Sequence, residues 1–154
     1  MKLLIVEDNR ELTSCMVDFL THENNICEIA PTYEQAREKI VLFSYDCIIL
    51  DIMLPDGNGL DILKCLKNTL SETSVIIISA KNSLDFKITG LDQGADDYIT
   101  KPFPLPELYS RIKAVRRRNS NGATQKIDFN EISINLSALE TTVNGIPIVL
   151  TKKE

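Results

Sequence analysis

Short apolar runs alternate with amphipathic stretches through the first 119 residues of this chain. Lys2–Val6 is apolar almost without interruption, the pattern of a strand buried on both faces. From Leu12 the apolar positions recur at helical spacing, through Cys15 or Met16 to Phe19-Leu20, and Asp8 or Asn9 stands where a cap belongs. Ile26–Ala30 predicts a second strand, and Thr32 caps a helix whose apolar face includes Ala36, Ile40 and Val41. Asp46–Leu50 predicts the third strand, ending at Asp51, and Pro55-Asp56-Gly57-Asn58-Gly59 is a turn by composition. A helix carrying Leu60, Leu63 and Leu66 follows, then a fourth strand over Ser74–Ile78 and a more polar helix from Ser83 to Gln93. Asp97–Thr100 is a short fifth strand. Pro104 opens the last helix, through Leu108 and Ile112 to about Arg118, at low cost because an N–H there lacks an intrahelical partner anyway. Five strand–helix repeats imply an α/β architecture, a doubly wound parallel sheet covered on both faces.

The pattern changes at Asn119-Ser120-Asn121-Gly122-Ala123, a flexible linker by its residues. Beyond it Ile127, Phe129, Ile132, Ile134 and Leu136 are interspersed with polar positions. Leu139–Val143 and Ile146–Leu150 flank Asn144-Gly145, a strong signal for a two-residue hairpin. Thr151-Lys152-Lys153-Glu154 has the look of a helix's first turn. The expectation is a second domain begun and left as an incomplete all-β segment. Its unpaired edges invite mobility, swapping or pairing with another copy.

A chain of 154 residues allows one ordinary domain with part of a second, and 44% hydrophobic with 25% charged residues suits a globular protein. No apolar run approaches the roughly 20 residues needed to span a bilayer. Glu7-Asp8 cuts short the N-terminal run, so a secretory signal is not expected and a cytoplasmic location is. Cys15, Cys27, Cys47 and Cys65 are widely spaced and a lone His22 could support them; reduced thiols are the expectation. The net charge of −5 argues against a generic nucleic-acid-binding surface. Arg116-Arg117-Arg118 reads as a solvated helix C-terminus, where cations complement the dipole.

Four ionisable side chains change this picture. Glu7 and Asp8 follow the first apolar run, Asp51 ends the third, and Lys101-Pro102 follows the fifth. In an open parallel sheet, ligands bind outside the carboxyl ends of the strands. Three carboxylates clustered there repel one another unless a cation joins them. A lysine beside them makes sense mainly if a further anion arrives. Cation plus anion suggests Mg²⁺ and a phosphoryl group.

Leu3-Leu4-Ile5-Val6-Glu7-Asp8, Leu50-Asp51-Ile52-Met53-Leu54-Pro55-Asp56-Gly57, Ile78-Ser79-Ala80 and Gly94-Ala95-Asp96-Asp97-Tyr98-Ile99-Thr100-Lys101-Pro102-Phe103 occur in that order. With these segments the chain resembles a bacterial two-component response regulator of the OmpR/PhoB type. The resemblance implies a flavodoxin-like receiver over residues 1–119 with strand order 2-1-3-4-5, a linker at 120–125, and the first strands of a truncated winged-helix DNA-binding domain at 126–154. It implies that Asp51 accepts a phosphoryl group from a sensor histidine kinase. Glu7, Asp8, Asp51 and the backbone carbonyl of Met53 match the Mg²⁺ ligands. Lys101 matches the lysine that pairs with phosphoryl oxygens, Ser79 the switch hydroxyl, and Tyr98 the aromatic switch residue. Lys87, Asp97, Glu107 and Arg111 match the charged positions of a homodimer that forms on phosphorylation. Met53 and Lys81 occupy positions that tune acyl-phosphate lifetime. Promoter DNA is implied as a partner of a full-length protein, though not through this chain, which lacks the recognition helix. The protein is then a phosphoacceptor in signalling rather than an enzyme, self-catalysing only phosphoryl transfer and acyl-phosphate hydrolysis. Two other readings compete. A haloacid-dehalogenase-like phosphatase needs a second aspartate where Met53 stands. A phosphate-independent interaction module would have no use for an intact Glu7, Asp8, Asp51, Ser79 and Lys101.

Overall fold

Strands buried on both faces need apolar residues at every position, and helices to cover each side. In the computed structural model, which describes residues 1–68, 73–80, 84–120, 126–129, 132–135, 140–143 and 146–148, β3 (Cys47–Asp51) and β6 (Ser74–Ser79) are buried throughout. In β1 (Lys2–Val6) only Lys2 is partly exposed. With β2 (Ile26–Ala30) and β7 (Asp97–Thr100) they form a five-stranded parallel sheet in the order β2-β1-β3-β6-β7. The order expected from the resemblance is the one observed. The chain reverses direction across the sheet between β1 and β3, which opens the ligand crevice at their carboxyl ends.

Alternate strand residues face opposite layers. Leu4, Val6, Ile48, Leu50, Val75 and Ile77 pack beneath α2 (Tyr33–Leu42) and α3 (Gly59–Asn68). Leu3, Ile5, Ile49, Ile76 and Ile78 pack with Met16 and Leu20 of α1 (Arg10–His22) and Leu108, Ile112 and Val115 of α5 (Leu105–Ser120). Each such buried aliphatic side chain contributes about 1.5–3 kcal/mol. The helix α4 (Leu84–Asp92) precedes β7. Asn9 and Thr32 cap α1 and α2, their side chains accepting from the N–H groups of Leu12 and Gln35.

One local expectation changes and two become more definite. Val41 is 82% exposed, because it lies one position, about 100° of helical turn, past the inward Ile40. Met16 rather than Cys15 faces inward on α1. The turn after Asp51 is a miniature hairpin, in which β4 (Met53–Leu54) pairs antiparallel with β5 (Gly57–Asn58).

The chain divides into two compact units, Met1–Arg116 and Arg117–Glu154. In the second, β8 (Lys126–Phe129), β9 (Ile132–Asn135), β10 (Glu140–Val143) and β11 (Ile146–Ile148) form a four-stranded antiparallel sheet, order β11-β10-β9-β8. These strands find their partners within one chain, with β8 and β11 outermost. Val143 pairs with Ile146, the register a two-residue connection gives. Asn144-Gly145 itself, the linker residues 121–125, and Leu136, Leu139, Leu150 and Thr151-Lys152-Lys153-Glu154 lie outside the described residues. Among the described residues no helix is long and apolar enough to cross a membrane.

Candidate functional site

Three strand ends deliver the charged side chains. Glu7 continues β1 by one residue, its N–H donating to the Ala30 carbonyl at 3.2 Å. Asp51 is the last residue of β3. Lys101 follows β7, its N–H donating to the Ser79 carbonyl at 2.8 Å, and the Lys101–Pro102 bond is cis. Lys101 Nζ thereby reaches Glu7 Oε2 and Asp51 Oδ2, both at 2.5 Å. The remaining oxygens are also held: Glu7 Oε1 accepts from the Asn9 N–H at 3.1 Å, and Asp51 Oδ1 from the Met53 N–H at 3.0 Å. Glu7 is 1% exposed and Asp51 6%, whereas Asp8 is exposed at the mouth. A cleft lined by Glu7, Asp8, Arg10, Ser14, Ile29 and Pro31 opens beside them.

Burial raises the Glu7 pKa, and the hydrogen bond and charge of Lys101 only partly offset it, while the charge of Asp51 adds to the rise. Burial would lower the pKa of Lys101, but hydrogen bonds and charge from Asp51 and Glu7 outweigh it and hold the ammonium above its usual range. An ammonium shared between two carboxylates satisfies neither fully.

Glu7, Asp8 and Asp51 each offer an oxygen, all within 4.8 Å of one another. Three carboxylates against one ammonium leave two formal negative charges, which a divalent cation would neutralise. Hard oxygen donors with room for water fit Mg²⁺ or Ca²⁺ rather than a thiolate-seeking metal.

The hairpin after Asp51 is fixed by contacts that the sequence did not reveal. Asp56 Oδ1 accepts from the Tyr33 N–H at 2.6 Å and Oδ2 from the Glu34 N–H at 3.1 Å. A Cβ at Gly57 would lie 2.7 Å from Tyr33 Cγ, and one at Gly59 only 2.1 Å from the Asp51 carbonyl oxygen. Gly59 also donates its N–H to the Ile52 carbonyl at 2.9 Å. Turn composition explains why these residues form a loop. It carries no sign of a partner more than twenty residues away.

Ser79 is fully buried at the end of β6, and Tyr98 is 8% exposed. A Cβ at Gly90 of α4 would fall 2.7 Å from Ile77 Cδ1 and 3.4 Å from Tyr98 Cδ2. Arg111 donates to both Asp97 oxygens, at 3.0 and 3.3 Å, and to Glu107 at 2.8 and 3.0 Å. Three of the four charged positions on this face therefore meet within one chain. Half-buried Lys87 makes no ion pair among the described residues. The Met53 side chain is 58% exposed, and Lys81 lies outside the described residues.

Residues 3–113 match the family described as the response regulator receiver domain. The chain is 39% identical over 154 residues to the transcriptional regulatory protein PmrA of Pectobacterium parmentieri, covering all of this chain and 69% of that one. It is 44% identical over 153 residues to the response regulator ArlR of Staphylococcus aureus, covering 99% of this chain and 68% of that one. The crystal structure of the response regulator DrrB, a Thermotoga maritima OmpR/PhoB homolog, superposes with a TM-score of 0.69 at 27% identity, over 97% of this chain and 66% of that one.

Proposed function

Because the chain belongs to the response regulator receiver family, in which phosphorylation governs control of transcription, we propose that Asp51 is its phosphoacceptor. The observation that carries this reading is the convergence of Glu7, Asp51 and Lys101, from three separate strand ends, on one buried ion-pair cluster. The Asp51 carboxylate attacks the phosphorus of a phosphohistidine on a sensor kinase. The P–N bond breaks as the O–P bond forms, and a proton completes the leaving imidazole. Phosphoryl transfer asks mainly for positioning and charge stabilisation. The Met53 N–H orients the acceptor through Oδ1, and the ammonium of Lys101 moves from carboxylate to phosphoryl oxygen as negative charge shifts outward.

Glu7, Asp8 and Asp51, with the backbone carbonyl of Met53, would hold a Mg²⁺ ion. Bound there, the ion supplies positive charge that draws the anionic donor beside the carboxylates. Ser79 takes up a hydrogen bond to the new phosphoryl group, and Tyr98 follows it as the aromatic member of the switch. Asp97, Glu107 and Arg111 then exchange partners with a second copy in a two-fold homodimer, in which Lys87 gains one. We read residues 1–119 as the receiver, 120–125 as linker and 126–154 as the first strands of a winged-helix domain that reaches promoter DNA in a full-length protein. The protein works in the cytoplasm, and its chemistry is limited to its own phosphorylation and the hydrolysis of its acyl phosphate.

The test is incubation with Mg²⁺ and acetyl phosphate followed by intact-mass measurement. The unmodified chain should gain one phosphoryl group and Asp51→Asn none. No gain by the unmodified chain, with Mg²⁺ bound, would make it an interaction module that signals without phosphate.

A further inference from the structure

The first turn of a helix has four N–H groups without intrahelical acceptors. In α2 those of the first three helical residues, Tyr33, Glu34 and Gln35, are all satisfied, and by two different parts of the chain. Thr32 takes Gln35 through its side chain at 3.2 Å, while its carbonyl accepts the first intrahelical bond, from Ala36, at 3.0 Å. Asp56 takes the other two, Tyr33 and Glu34. Two of these three bonds therefore come from the hairpin that follows Asp51. A carboxylate at a helix N-terminus also gains from the helix dipole, and its hydrogen bonds are charge-assisted.

The contact runs straight to the site. Asp56 lies in the turn of the β4–β5 hairpin, where Gly57 pairs with Leu54 and Asn58 with Met53. The Tyr33 ring lies against Gly57 so closely that a Cβ there would have no room. Met53 in turn donates its N–H to Asp51. Along its inner face the α2 helix is fixed to the sheet by Ala36 and Ile40, which pack in the core layer with Leu4, Val6 and Ala30.

We propose that Asp56 is a positioning residue for the phosphorylation site: by tying the β4–β5 hairpin to the first turn of α2, it holds the Met53 backbone against Asp51. The inference rests on the phosphoacceptor reading above. Asp56 touches neither donor nor metal. It acts through Met53, whose N–H orients one Asp51 oxygen and whose carbonyl is the backbone ligand of the reading above.

The competing reading is that Asp56 merely caps α2, and Thr32 provides the control. Thr32→Ala weakens the same helix end without touching the hairpin. Asp56→Ala, Asp56→Asn and Thr32→Ala, each in the whole 154-residue chain, would be compared by amide hydrogen exchange at Met53 and Asn58, Mg²⁺ titration calorimetry and thermal unfolding. Initial phosphorylation rates with acetyl phosphate complete the set. Asp56→Ala should speed exchange of the hairpin amides and weaken Mg²⁺ binding roughly tenfold, the low end of the loss when an outer-shell partner is removed. Its phosphorylation rate should fall at low Mg²⁺ and recover at saturating Mg²⁺. Asp56→Asn keeps an acceptor for Tyr33, so it should fold where the alanine variant fails and fall between the two in Mg²⁺ affinity. Thr32→Ala should lower thermal stability and leave hairpin exchange and Mg²⁺ affinity as they were. Equal behaviour of Thr32→Ala and Asp56→Ala, or unchanged exchange and affinity in both Asp56 variants, would overturn the proposal. An unmodified chain that takes up no phosphoryl group sinks the phosphoacceptor reading instead, and this inference with it.

Discussion

Glu7 and Glu28 stand on neighbouring strands, yet their surroundings push them in opposite directions. The Glu28 carboxylate collects Lys2 at 2.9 Å, Lys39 at 3.0 Å and the Tyr45 hydroxyl at 2.8 Å. The hydrogen bonds of Lys2, Lys39 and Tyr45 bring its pKa down to about 2. Lys2 is itself held over the rings of Phe43 and Tyr45, at 4.6 and 4.8 Å. Glu7, by contrast, shares Lys101 with Asp51, is almost wholly buried, and is pushed above the usual carboxylate range. The Glu28 cluster is complete as it stands and works as structure. The Glu7 cluster is left anionic, a charge that a proton on Glu7 or an outside cation would relieve.

The largest break in this contrast should come from Lys101→Met, which removes the positive charge from the cluster. Phosphorylation by acetyl phosphate should slow by about 10²–10³-fold, the usual loss of a positioned transition-state stabiliser, read from initial rates by intact mass. Gly59→Ala comes next. Its Cβ would collide with the Asp51 carbonyl, backbone that has little freedom to yield, so we expect about 1–3 kcal/mol of destabilisation in denaturant titrations, together with slower phosphorylation. Glu28→Gln should cost about 1 kcal/mol at neutral pH, allowing for the solvent-facing side of the cluster. Because the folded pKa of Glu28 lies below its ordinary 4.5, its contribution is complete above pH 4.5 and fades as pH falls toward about 2. Unfolding curves of the two chains should therefore converge across that acid window. Glu7→Gln sharpens the comparison from the other side. Without Mg²⁺ its unfolding midpoint should match or exceed that of the unmodified chain, while the midpoint gain on adding Mg²⁺ disappears. A clear loss of stability in the metal-free protein would show the two clusters to be alike. Arg111→Ala should have the smallest effect on the fold, below about 1 kcal/mol by thermal denaturation, since its pairs with Asp97 and Glu107 are partly solvated.

Much of this was legible in the residues. The runs Leu3-Leu4-Ile5-Val6 and Cys47-Ile48-Ile49-Leu50 are too short and too continuously apolar for anything but strands covered on both sides, and Asn9 and Thr32 sit where caps belong. The acidic residues and Lys101 stood out because each ends an apolar run. Distance in sequence hid the rest. Asp56 reads as a turn former, and no local pattern announces that its acceptors serve Tyr33 and Glu34. Gly59 reads the same way, since a close approach is a property of what lies opposite. The side of a helix that Val41 occupies depends on one residue of phase, which the run Ile40-Val41-Leu42-Phe43 does not settle.

Gly90 has a mechanical consequence. A side chain between a helix and the layer beneath it behaves as a soft spring, able to change rotamer and absorb small displacements. At Gly90 the helix contributes no side chain of its own: the backbone of α4 comes close to the Ile77 Cδ1 methyl and the edge of the Tyr98 ring. A movement of that ring toward the helix is met by main chain rather than by an intervening side chain of α4. The missing methyl is what lets helix and ring approach this closely, so a side chain introduced at Gly90 would hold the two apart.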